Sequence, residues 1–552
     1  MHVADERGTA RMTTAEAAVR TMVLNGIDQI FCLPGVQNDY LFEALHGAQG
    51  SIRVLQTRHE QGAAYMALGA AMATGRPSAY AVVPGPGVLN TTAALCTAYA
   101  VNAPVLALTG HIPSTAIGRG LGLLHEIPDQ LGILRSLTKW AARIRSPQEA
   151  PVLMDEAFRQ LRSGRPRPVA LECPLDIWPR TGLVALPASP AAADVVPVDL
   201  DAVAAAAQLL GAAERPLIVV GGGAQDASAE VAAVAEALQA PVVAHQMGRG
   251  VLDSRHPLSV SAYLGWRLWG EADVVLAVGT RLSLQQRLWG TDPTLKIVRI
   301  DADPEEIDRI ERPAIGILGD SALVLRRLFD ALARHNRRRP SRAEEMRGRK
   351  EAADAELAER FKPQVGWLEA IRAELPEDGI FVDELTQIGY VGRLALPVYR
   401  PRSYISSGYQ GTLGWGVATA IGAKAARPGT PLVAISGDGG FMFNVQELAT
   451  AVQHRIPVVI VLTTDNAYGN VRRTQVEAFG NRVIASDLVN PDFVKLAESF
   501  GVIGLRATTP AELRARLKQA LAAGAPALIE VPVGPMPSPW NVLRFPRPSR
   551  PG

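Results

Sequence analysis

Cysteine, excess charge of one sign and long hydrophobic runs are all scarce in this sequence of 552 residues. The three cysteines, Cys32, Cys96 and Cys173, lie far apart, so we expect neither a disulfide framework nor a zinc site. A formal net charge of +2 provides no general attraction for nucleic acid. No segment approaches the roughly 20 apolar residues that cross a bilayer, and the start "MHVADERGTARM" lacks the apolar core of an export signal. We therefore expect a cytoplasmic protein that binds neither nucleic acid nor membranes.

The residues that are abundant indicate a globular protein of several domains. Apolar residues make up 48% of the chain and charged residues 20%, which is typical of compact proteins. At about 150 residues per domain, the length predicts three or four domains, and we expect three. Short apolar strands alternate with helical patterns along the whole chain, which indicates parallel sheets covered by helices. The predicted fold class is α/β, with three doubly wound parallel-sheet domains.

Two stretches of different composition divide the chain. Residues 184–198 are rich in proline and alanine, and residues 335–362 are highly charged, so we interpret both as linkers. The predicted domains are residues 1–185, 198–335 and 362–552.

Two acids follow two apolar strands in the last third of the chain. Asp438 ends "PLVAISGD", and Asp465 ends "PVVIVLTTD" 27 residues later. One right-handed βαβ unit would place both carboxylates at the same sheet edge, where open α/β sheets bind ligands. Gly437, Gly439 and Gly440 would let the backbone approach a phosphate closely. Two carboxylates beside a phosphate require a hard divalent cation, so this spacing predicts a Mg²⁺ or Ca²⁺ site rather than a simple turn.

This Gly-Asp-Gly segment with a polar residue 27 positions after the acid resembles the thiamine diphosphate-dependent decarboxylase and carboligase superfamily, specifically its acetolactate synthase group. The similarity extends from about residue 11 to 540 and includes "TRHEQGAAYMALGAA", "PGPGVLNTTAAL", "LTGHIPSTAIG", "RSLTKWA" and "GTLGWGVATAIGAK". The resemblance implies an N-terminal pyrimidine-binding domain, a central domain and a C-terminal domain that binds diphosphate and metal.

The resemblance also implies thiamine diphosphate and Mg²⁺ as cofactors and assigns residues to them by position. Glu60 would be the catalytic residue, which hydrogen-bonds the aminopyrimidine and shuttles a proton, although an isolated glutamate there would be an ordinary first-turn residue. The metal ligands would be Asp438, Asp465 and the Ala467 carbonyl. Leu413 would hold the cofactor bent. The implied cofactor-binding residues are Gly35, Thr386, Gln387, Gly411, Leu413, Gly437, Gly439, Gly440 and Asn466.

Several positions depart from the family pattern and bear on the substrate. The usual Asn-Asn pair is Thr464-Asp465 here, and Thr474 stands where biosynthetic synthases have a tryptophan. His111 replaces a glutamine, and Val83 stands where related decarboxylases place a histidine. A dedicated branched-chain role is therefore in doubt. The substrate-pocket candidates are Val36, Gln37, Val83, His111, His125, Tyr468 and Thr474, and either histidine could equally be structural.

The function that the resemblance implies is decarboxylation of a 2-oxo acid followed by ligation to a second carbonyl compound. The alternatives are simple decarboxylation, cleavage of an acyloin or diketone, and a non-catalytic nucleotide-binding protein. Because Glu60 and Asp438 belong to different domains, the resemblance implies a homodimer, or a tetramer, with sites at the subunit interface. FAD stays open, since "VVGGGAQ" lacks a full Gly-x-Gly-x-x-Gly and a structural tight turn is favoured.

Overall fold

Three parallel sheets of six strands each organise the chain in the computed structural model, which describes residues 9–548. Helices cover each sheet, so the predicted α/β fold class with three doubly wound domains is confirmed. Most of the segment on which we based the expectation of no export signal lies outside the described residues. Within residues 9–548, no helix has the length and apolar character needed to span a membrane.

The N-terminal sheet has the strand order β3-β2-β4-β5-β7-β6. Thr13 and Glu16 form a capping box at the first helix, which ends before Gly26, a glycine with a positive φ of 88°. An antiparallel pair, β1 with β8, lies beside the sheet. The strands are β1 (Thr9–Thr13), β2 (Gln29–Cys32), β3 (Arg53–Gln56), β4 (Ser78–Val82), β5 (Val105–His111), β6 (Trp140–Arg143), β7 (Val169–Pro174) and β8 (Thr181–Ala185). The helices are α1 (Thr14–Leu24), α2 (Asp39–Gly47), α3 (Glu60–Thr74), α4 (Pro86–Asn90), α5 (Thr92–Val101), α6 (Gln130–Leu137) and α7 (Glu149–Arg162).

The central sheet has the order β11-β10-β9-β12-β13-β14. Its strands are β9 (Pro216–Val220), β10 (Val242–Ala244), β11 (Ser259–Val260), β12 (Val274–Val278), β13 (Lys296–Asp301) and β14 (Ile315–Leu318). Its helices are α8 (Leu200–Ala212), α9 (Ser228–Leu238), α10 (Ala262–Glu271), α11 (Pro304–Ile307) and α12 (Ser321–His335).

The second predicted linker is wrong in one respect, because most of residues 335–362 form a helix, α13 (Ala343–Arg360). Met346, Ala353 and Leu357 are buried along one side of this helix, while most of its charged side chains face outward. The narrow apolar strip is hidden in the sequence by the many charged residues around it. The limits of the three domains stay a prediction.

The C-terminal sheet has the order β16-β15-β17-β18-β20-β19, which repeats the strand order of the N-terminal sheet. Its strands are β15 (Ile380–Val382), β16 (Tyr404–Ile405), β17 (Leu432–Gly437), β18 (Val459–Thr464), β19 (Ile503–Arg506) and β20 (Ala527–Pro532). Its helices are α14 (Lys362–Glu374), α15 (Gln387–Ala395), α16 (Gly416–Ala426), α17 (Asp438–Phe441), α18 (Glu447–Gln453), α19 (Gly469–Ala478), α20 (Phe493–Ser499), α21 (Pro510–Ala522) and α22 (Trp540–Leu543).

Helices α3 and α16 join the N-terminal and C-terminal sheets through a shared alanine-rich core. A Cβ on Gly69 would lie 1.9 Å from the Thr419 carbonyl oxygen, and one on Gly422 would lie 2.0 Å from that of Met66. Such separations are far below van der Waals contact, so the two backbones touch only because both residues are glycine.

Candidate functional site

A cavity of about 280 Å³ opens at the carboxyl ends of β17 and β18. This is the edge at which open α/β sheets bind ligands. The predicted site residues that line it are Thr386, Gln387, Leu413, Gly437, Asp438, Gly439, Gly440, Asp465, Ala467 and Tyr468. Both acids therefore lie at one sheet edge, as their spacing in a βαβ unit predicts.

The carboxyl of Asp438 is 2% exposed and points into a set of hydrogen-bond donors. Its Oδ1 accepts from the Gly439 N–H at 2.9 Å, and its Oδ2 accepts from the Asn466 N–H at 2.8 Å and from Asn490 Nδ2 at 2.7 Å. Burial raises the pKa of the Asp438 carboxyl, while these hydrogen bonds oppose the rise. Asp438 is thereby held in one orientation.

Asp465 lies directly after β18, where its Oδ1 accepts from the Ala467 N–H at 3.2 Å. Burial raises the pKa of the Asp465 carboxyl, and the Asp438 carboxylate raises it further. A divalent cation bound between two neighbouring carboxylates relieves their mutual repulsion. Among residues 9–548, no cluster of three or more His, Cys, Asp or Glu side chains could hold a metal ion. A cation at this pair would therefore need backbone carbonyl and ligand oxygens as well.

Neighbouring side chains approach the glycines of this segment so closely that a larger residue would not fit there. A Cβ on Gly439 would lie 2.5 Å from Tyr468 Cε1, and one on Gly440 would lie 3.2 Å from Leu413 Cδ1. Gln387 contributes a buried Oε1 without a hydrogen-bond partner to the same cavity. Glycine backbone beside paired carboxylates and an unsatisfied amide is a setting that fits a diphosphate with its cation.

Gly411 and Leu413 belong to the loop before α16. Gly411 has a positive φ of 57° and open space around it, whereas Leu413 projects into the cavity. Thr412 Oγ1 lies 2.8 Å from Thr97 Oγ1 on α5, so this loop contacts the N-terminal sheet region of the same chain. Asn466 is held at a positive φ of 57° and does not line the cavity.

A second cluster of predicted residues lies at the carboxyl ends of β2 and β4 and at the start of α3. Glu60 opens α3, its side chain is 13% exposed, and its Oε2 accepts from Asn90 Nδ2 at 3.0 Å. A Cβ on Gly87 would lie 3.7 Å from Glu60 Oε1 and 2.7 Å from Val83 Cγ2. A Cβ on Gly35 would lie 2.5 Å from Val83 Cγ1. Glu60, Gly35 and Val83 are thus brought together, with Asn90 as a partner that sequence reasoning did not identify.

The two candidate histidines have different surroundings. His125 Nδ1 lies 3.1 Å from Gln37 Oε1, and Gln37 Nε2 donates to the Leu124 carbonyl at 3.1 Å, so Gln37 and His125 form one unit. His111 is 2% exposed and accepts from the Ile112 N–H at 2.8 Å. Burial, aided by the Arg143 charge, lowers the pKa of His111 to about 4. His111 is therefore neutral near pH 7.

Two further pocket candidates lie on the surface of the isolated chain. Val36 is 61% exposed. Thr474 lies on α19, is exposed, and donates from Oγ1 to the Asn470 carbonyl at 3.2 Å.

The two clusters do not share a cavity within one chain. Among the described residues, those that line the cavity run from Leu385 to Met536. Glu60, Val83, Gln37 and both histidines therefore contribute nothing to its walls.

Sequence reasoning missed two buried acids beside the site. Glu384 is 1% exposed, and its Oε1 accepts from the Gly414 N–H at 2.7 Å while Ser436 Oγ donates to its Oε2. Burial raises the pKa of Glu384 to about 7. Glu447, at the start of α18, is fully buried. Both acids were visible as charged residues within apolar segments, "IFVDEL" and "FNVQELATAV", which is the signal that could have identified them.

In the central sheet, the glycine turn that follows β9 packs against the backbone that follows β12. The Gly223 N–H donates to the Gly279 carbonyl at 3.0 Å, and a Cβ on Gly221 would lie 2.3 Å from that oxygen. The favoured tight-turn interpretation accounts for these glycines, and FAD binding stays an open question.

Comparisons with known proteins identify the family. Residues 12–133 match "Thiamine pyrophosphate enzyme, N-terminal TPP binding domain", residues 203–328 match its central domain and residues 387–531 match its C-terminal TPP binding domain. The chain belongs to the thiamine pyrophosphate enzyme family.

Curated relatives extend this match over most of the chain. A probable 2-ketoarginine decarboxylase of Pseudomonas aeruginosa is 35% identical over 89% of this chain and 88% of its own length. A probable acetolactate synthase large subunit of Methanocaldococcus jannaschii is 34% identical over 95% of this chain and 92% of its own. Acetolactate synthase isozyme 3 large subunit of Escherichia coli is 31% identical, with 92% coverage of both. The protein is therefore an acetolactate synthase-like, thiamine pyrophosphate-dependent enzyme of this family, and the resemblance seen in the sequence is confirmed.

Proposed function

We propose that the protein uses thiamine diphosphate and Mg²⁺ to decarboxylate a 2-oxo acid and to join the product to a second carbonyl compound. The observation that carries this proposal is the cavity at the ends of β17 and β18, where Asp438 and Asp465 converge beside three glycines. Its donor set matches what a hard cation with a diphosphate requires. When bound, the cofactor supplies a carbon nucleophile that activates the 2-oxo acid for loss of CO₂.

The residues of the cavity hold and orient this cofactor. Asp438, Asp465 and the Ala467 carbonyl would bind the cation, while the backbone at Gly437, Gly439 and Gly440 would lie against the diphosphate. Thr386 and Gln387 extend the same wall. Leu413 would act sterically, because it projects into the cavity next to Gly440.

Glu60 would hold and move a proton at the aminopyrimidine ring. Asn90 donates to Glu60 Oε2 and so fixes the carboxyl. Proton transfer by a positioned carboxyl typically contributes about 10²- to 10⁴-fold to a rate.

We infer that the active enzyme is a homodimer, or a tetramer built from dimers. The cavity in one chain is lined by C-terminal residues, whereas the Glu60 cluster lies at the other sheet. A complete site in which Glu60 contacts the cofactor would therefore require a second chain. We also propose a cytoplasmic location, because the three cysteines are free.

The second candidate function is simple decarboxylation without ligation. The relative named as a probable 2-ketoarginine decarboxylase, at 35% identity, favours it. Cleavage of an acyloin or diketone uses the same kind of site, and fold alone does not separate these reactions.

The test is a panel of 2-oxo acids supplied with thiamine diphosphate and Mg²⁺, with and without aldehyde or 2-oxo acid acceptors. Pyruvate and 2-oxo-5-guanidinopentanoate represent the two groups of relatives. Products that contain both donor and acceptor carbons support ligation, and an aldehyde alone supports decarboxylation. If no panel member loses CO₂, the proposed function fails. Mass spectrometry of ligands released from the denatured protein tests thiamine diphosphate and FAD separately, and a released nucleotide without thiamine diphosphate would support a non-catalytic nucleotide-binding protein.

A further inference from the structure

The fully buried carboxyl of Glu447 reaches from the C-terminal sheet region to the turn that carries Glu60. Its Oε1 accepts from the His59 N–H at 3.0 Å, and its Oε2 accepts from the Arg58 N–H at 3.2 Å. Thr450 Oγ1 donates to Oε2 at 2.5 Å. The carboxyl of Glu447 is thereby satisfied by groups from two domains.

These contacts lie where the backbone needs an acceptor. Arg58 and His59 immediately precede α3, and the first N–H groups at a helix start have no partner within the helix. A negative charge is also favoured at that end of the helix dipole. A Cβ on Gly62 would lie 2.3 Å from Glu447 Oε1, so the glycine in the first turn of α3 makes room for this carboxyl.

Other contacts tie the same two segments together. Arg58 Nη2 donates to Gln453 Oε1 at 3.1 Å, and Arg53 Nη2 donates to the His454 carbonyl at 3.2 Å. His454 Nε2 lies 2.9 Å from the Gln56 carbonyl oxygen. The stretch from β3 to α3 is therefore fastened along α18, which is the crossover helix between Asp438 and Asp465.

We propose that Glu447 is a positioning residue, which sets the turn Arg58–Glu60 and through it the direction of the Glu60 carboxyl. This proposal rests on the proposed function, because it takes Glu60 as the group that moves a proton at the cofactor. In the proposed dimer it means that the crossover helix of one metal site also positions the glutamate that serves the other site. Glu447 is not among the residues that line the cavity, so it acts through the turn.

The test compares Glu447→Gln with Glu530→Gln, a matched control. Glu530 is also a buried carboxyl of the C-terminal domain, and it pairs with Arg506 at 2.8 Å between β19 and β20. Glu447→Gln keeps the shape but replaces one acceptor oxygen with a donor that faces a backbone N–H. A general loss of packing would affect both variants, whereas loss of positioning affects only the first.

The first measurement is backbone hydrogen–deuterium exchange of the cofactor-free protein, followed by mass spectrometry. We expect Glu447→Gln to accelerate exchange in residues 57–62, and Glu530→Gln to leave that segment unchanged. Equal protection of this segment in wild type and Glu447→Gln would overturn the proposal.

The second measurement is exchange of the thiazolium C2 proton of bound thiamine diphosphate in D₂O, which needs no substrate. We expect Glu447→Gln to slow it about ten- to hundredfold, because small misplacements of a reacting group cost rates of this order. Affinity for Mg²⁺ and cofactor should stay within about threefold. Unchanged C2 exchange in Glu447→Gln contradicts the positioning role.

Glu60→Gln separates this proposal from the proposed function. If Glu60→Gln leaves C2 exchange unchanged, the catalytic assignment itself fails. If Glu60→Gln slows exchange and Glu447→Gln does not, only the positioning role fails. Should Glu447→Gln fold poorly, Thr450→Val removes one donor to the same carboxyl. We expect this variant to show the same changes in both exchange measurements, but smaller. Exchange in Thr450→Val equal to that of the wild type would then overturn the proposal.

Discussion

The N-terminal and C-terminal sheets share one strand order but present different chemistry at the same edge. In register, Val82 pairs with Thr109 in the first sheet, and Gly437 pairs with Thr463 in the second. Val83 and Asp438 each lie one residue beyond these pairs, and His111 and Asp465 each lie two residues beyond them, although His111 is still within β5 and Asp465 lies after β18.

The difference shows that topology sets where a ligand can bind and that strand-end residues set what is bound. The C-terminal edge has two acids that repel each other, which suits a cation. The N-terminal edge has a valine and a neutral histidine, which suits the uncharged ring of a ligand rather than its phosphates. Four predictions test this contrast.

The largest effect is expected for Glu60→Gln, which alters the N-terminal edge alone. Turnover should fall about 10²- to 10⁴-fold, because proton transfer by the carboxyl is lost. Thiamine diphosphate and Mg²⁺ should still bind, since the residues proposed to hold the cation and the diphosphate lie at the other sheet. Steady-state kinetics and calorimetric titration measure the two quantities. Unchanged turnover of every active substrate would remove Glu60 from the catalytic role.

At the C-terminal edge, Glu384 should make stability fall as pH rises. Its folded pKa of about 7 lies above the ordinary value of 4.5. Its contribution to the free energy of unfolding is therefore complete below about pH 4.5 and is lost as pH rises through 7. The loss for this buried group is of the order of 3 kcal/mol. Thermal midpoints of cofactor-free wild type and Glu384→Gln, compared at pH 5 and pH 8, should shift in favour of the variant at pH 8. Parallel pH profiles would contradict this.

At the N-terminal edge, His111 should give the opposite slope. Its folded pKa of about 4 lies below the ordinary 6.5, so its contribution is complete above about pH 6.5 and is lost as pH falls through 4. In the wild type, acidification should lower the free energy of unfolding through His111 by an amount of the order of 3 kcal/mol or less. His111→Gln should remove this loss, so its thermal midpoint should fall less with acid. His256→Gln is a control, because His256 is a partly exposed histidine of the central domain. An identical acid sensitivity of wild type and His111→Gln would show that the buried histidine does not govern this slope.

The smallest effect is expected for Asp465→Asn, which removes one of the two carboxylates that distinguish the C-terminal edge from the N-terminal edge. Removing one carboxylate charge should weaken Mg²⁺ binding about tenfold, or about 1.4 kcal/mol. Titration with Mg²⁺ in the presence of thiamine diphosphate measures it, with Glu530→Gln as a control for a lost acid elsewhere. No change in affinity would exclude Asp465 from the coordination shell.

Much of the fold could be predicted from apolar strand patterns, and the failures have one physical cause. β1, β6, β8, β11, β14 and β19 were not predicted, and each lies at an edge of its sheet, whereas the edge strands β3 and β16 were predicted. An edge strand is covered on fewer sides, so its sequence lacks a continuous apolar run; in β19 no residue is fully buried. The charged helix α13 was missed for a related reason, since only three of its side chains are buried.

The candidate site could be predicted only where residues one βαβ unit apart lie at the ends of neighbouring strands. Asp438 and Asp465 were found because one βαβ unit relates them. Asn90 and Glu447 were not, because their contacts to the Glu60 segment depend on tertiary packing between distant elements. Sequence spacing carries no information about a contact across 388 residues.

The backbone contact between α3 and α16 has a consequence for how this enzyme can change its substrate. Gly69 and Gly422 bring two helices together without intervening side chains, so the interval between the start of α3 and the loop that carries Leu413 is fixed by main-chain geometry. Variation in the side chains of the pocket leaves that interval untouched. Laboratory evolution should therefore accept many replacements around the substrate and almost none at these two glycines.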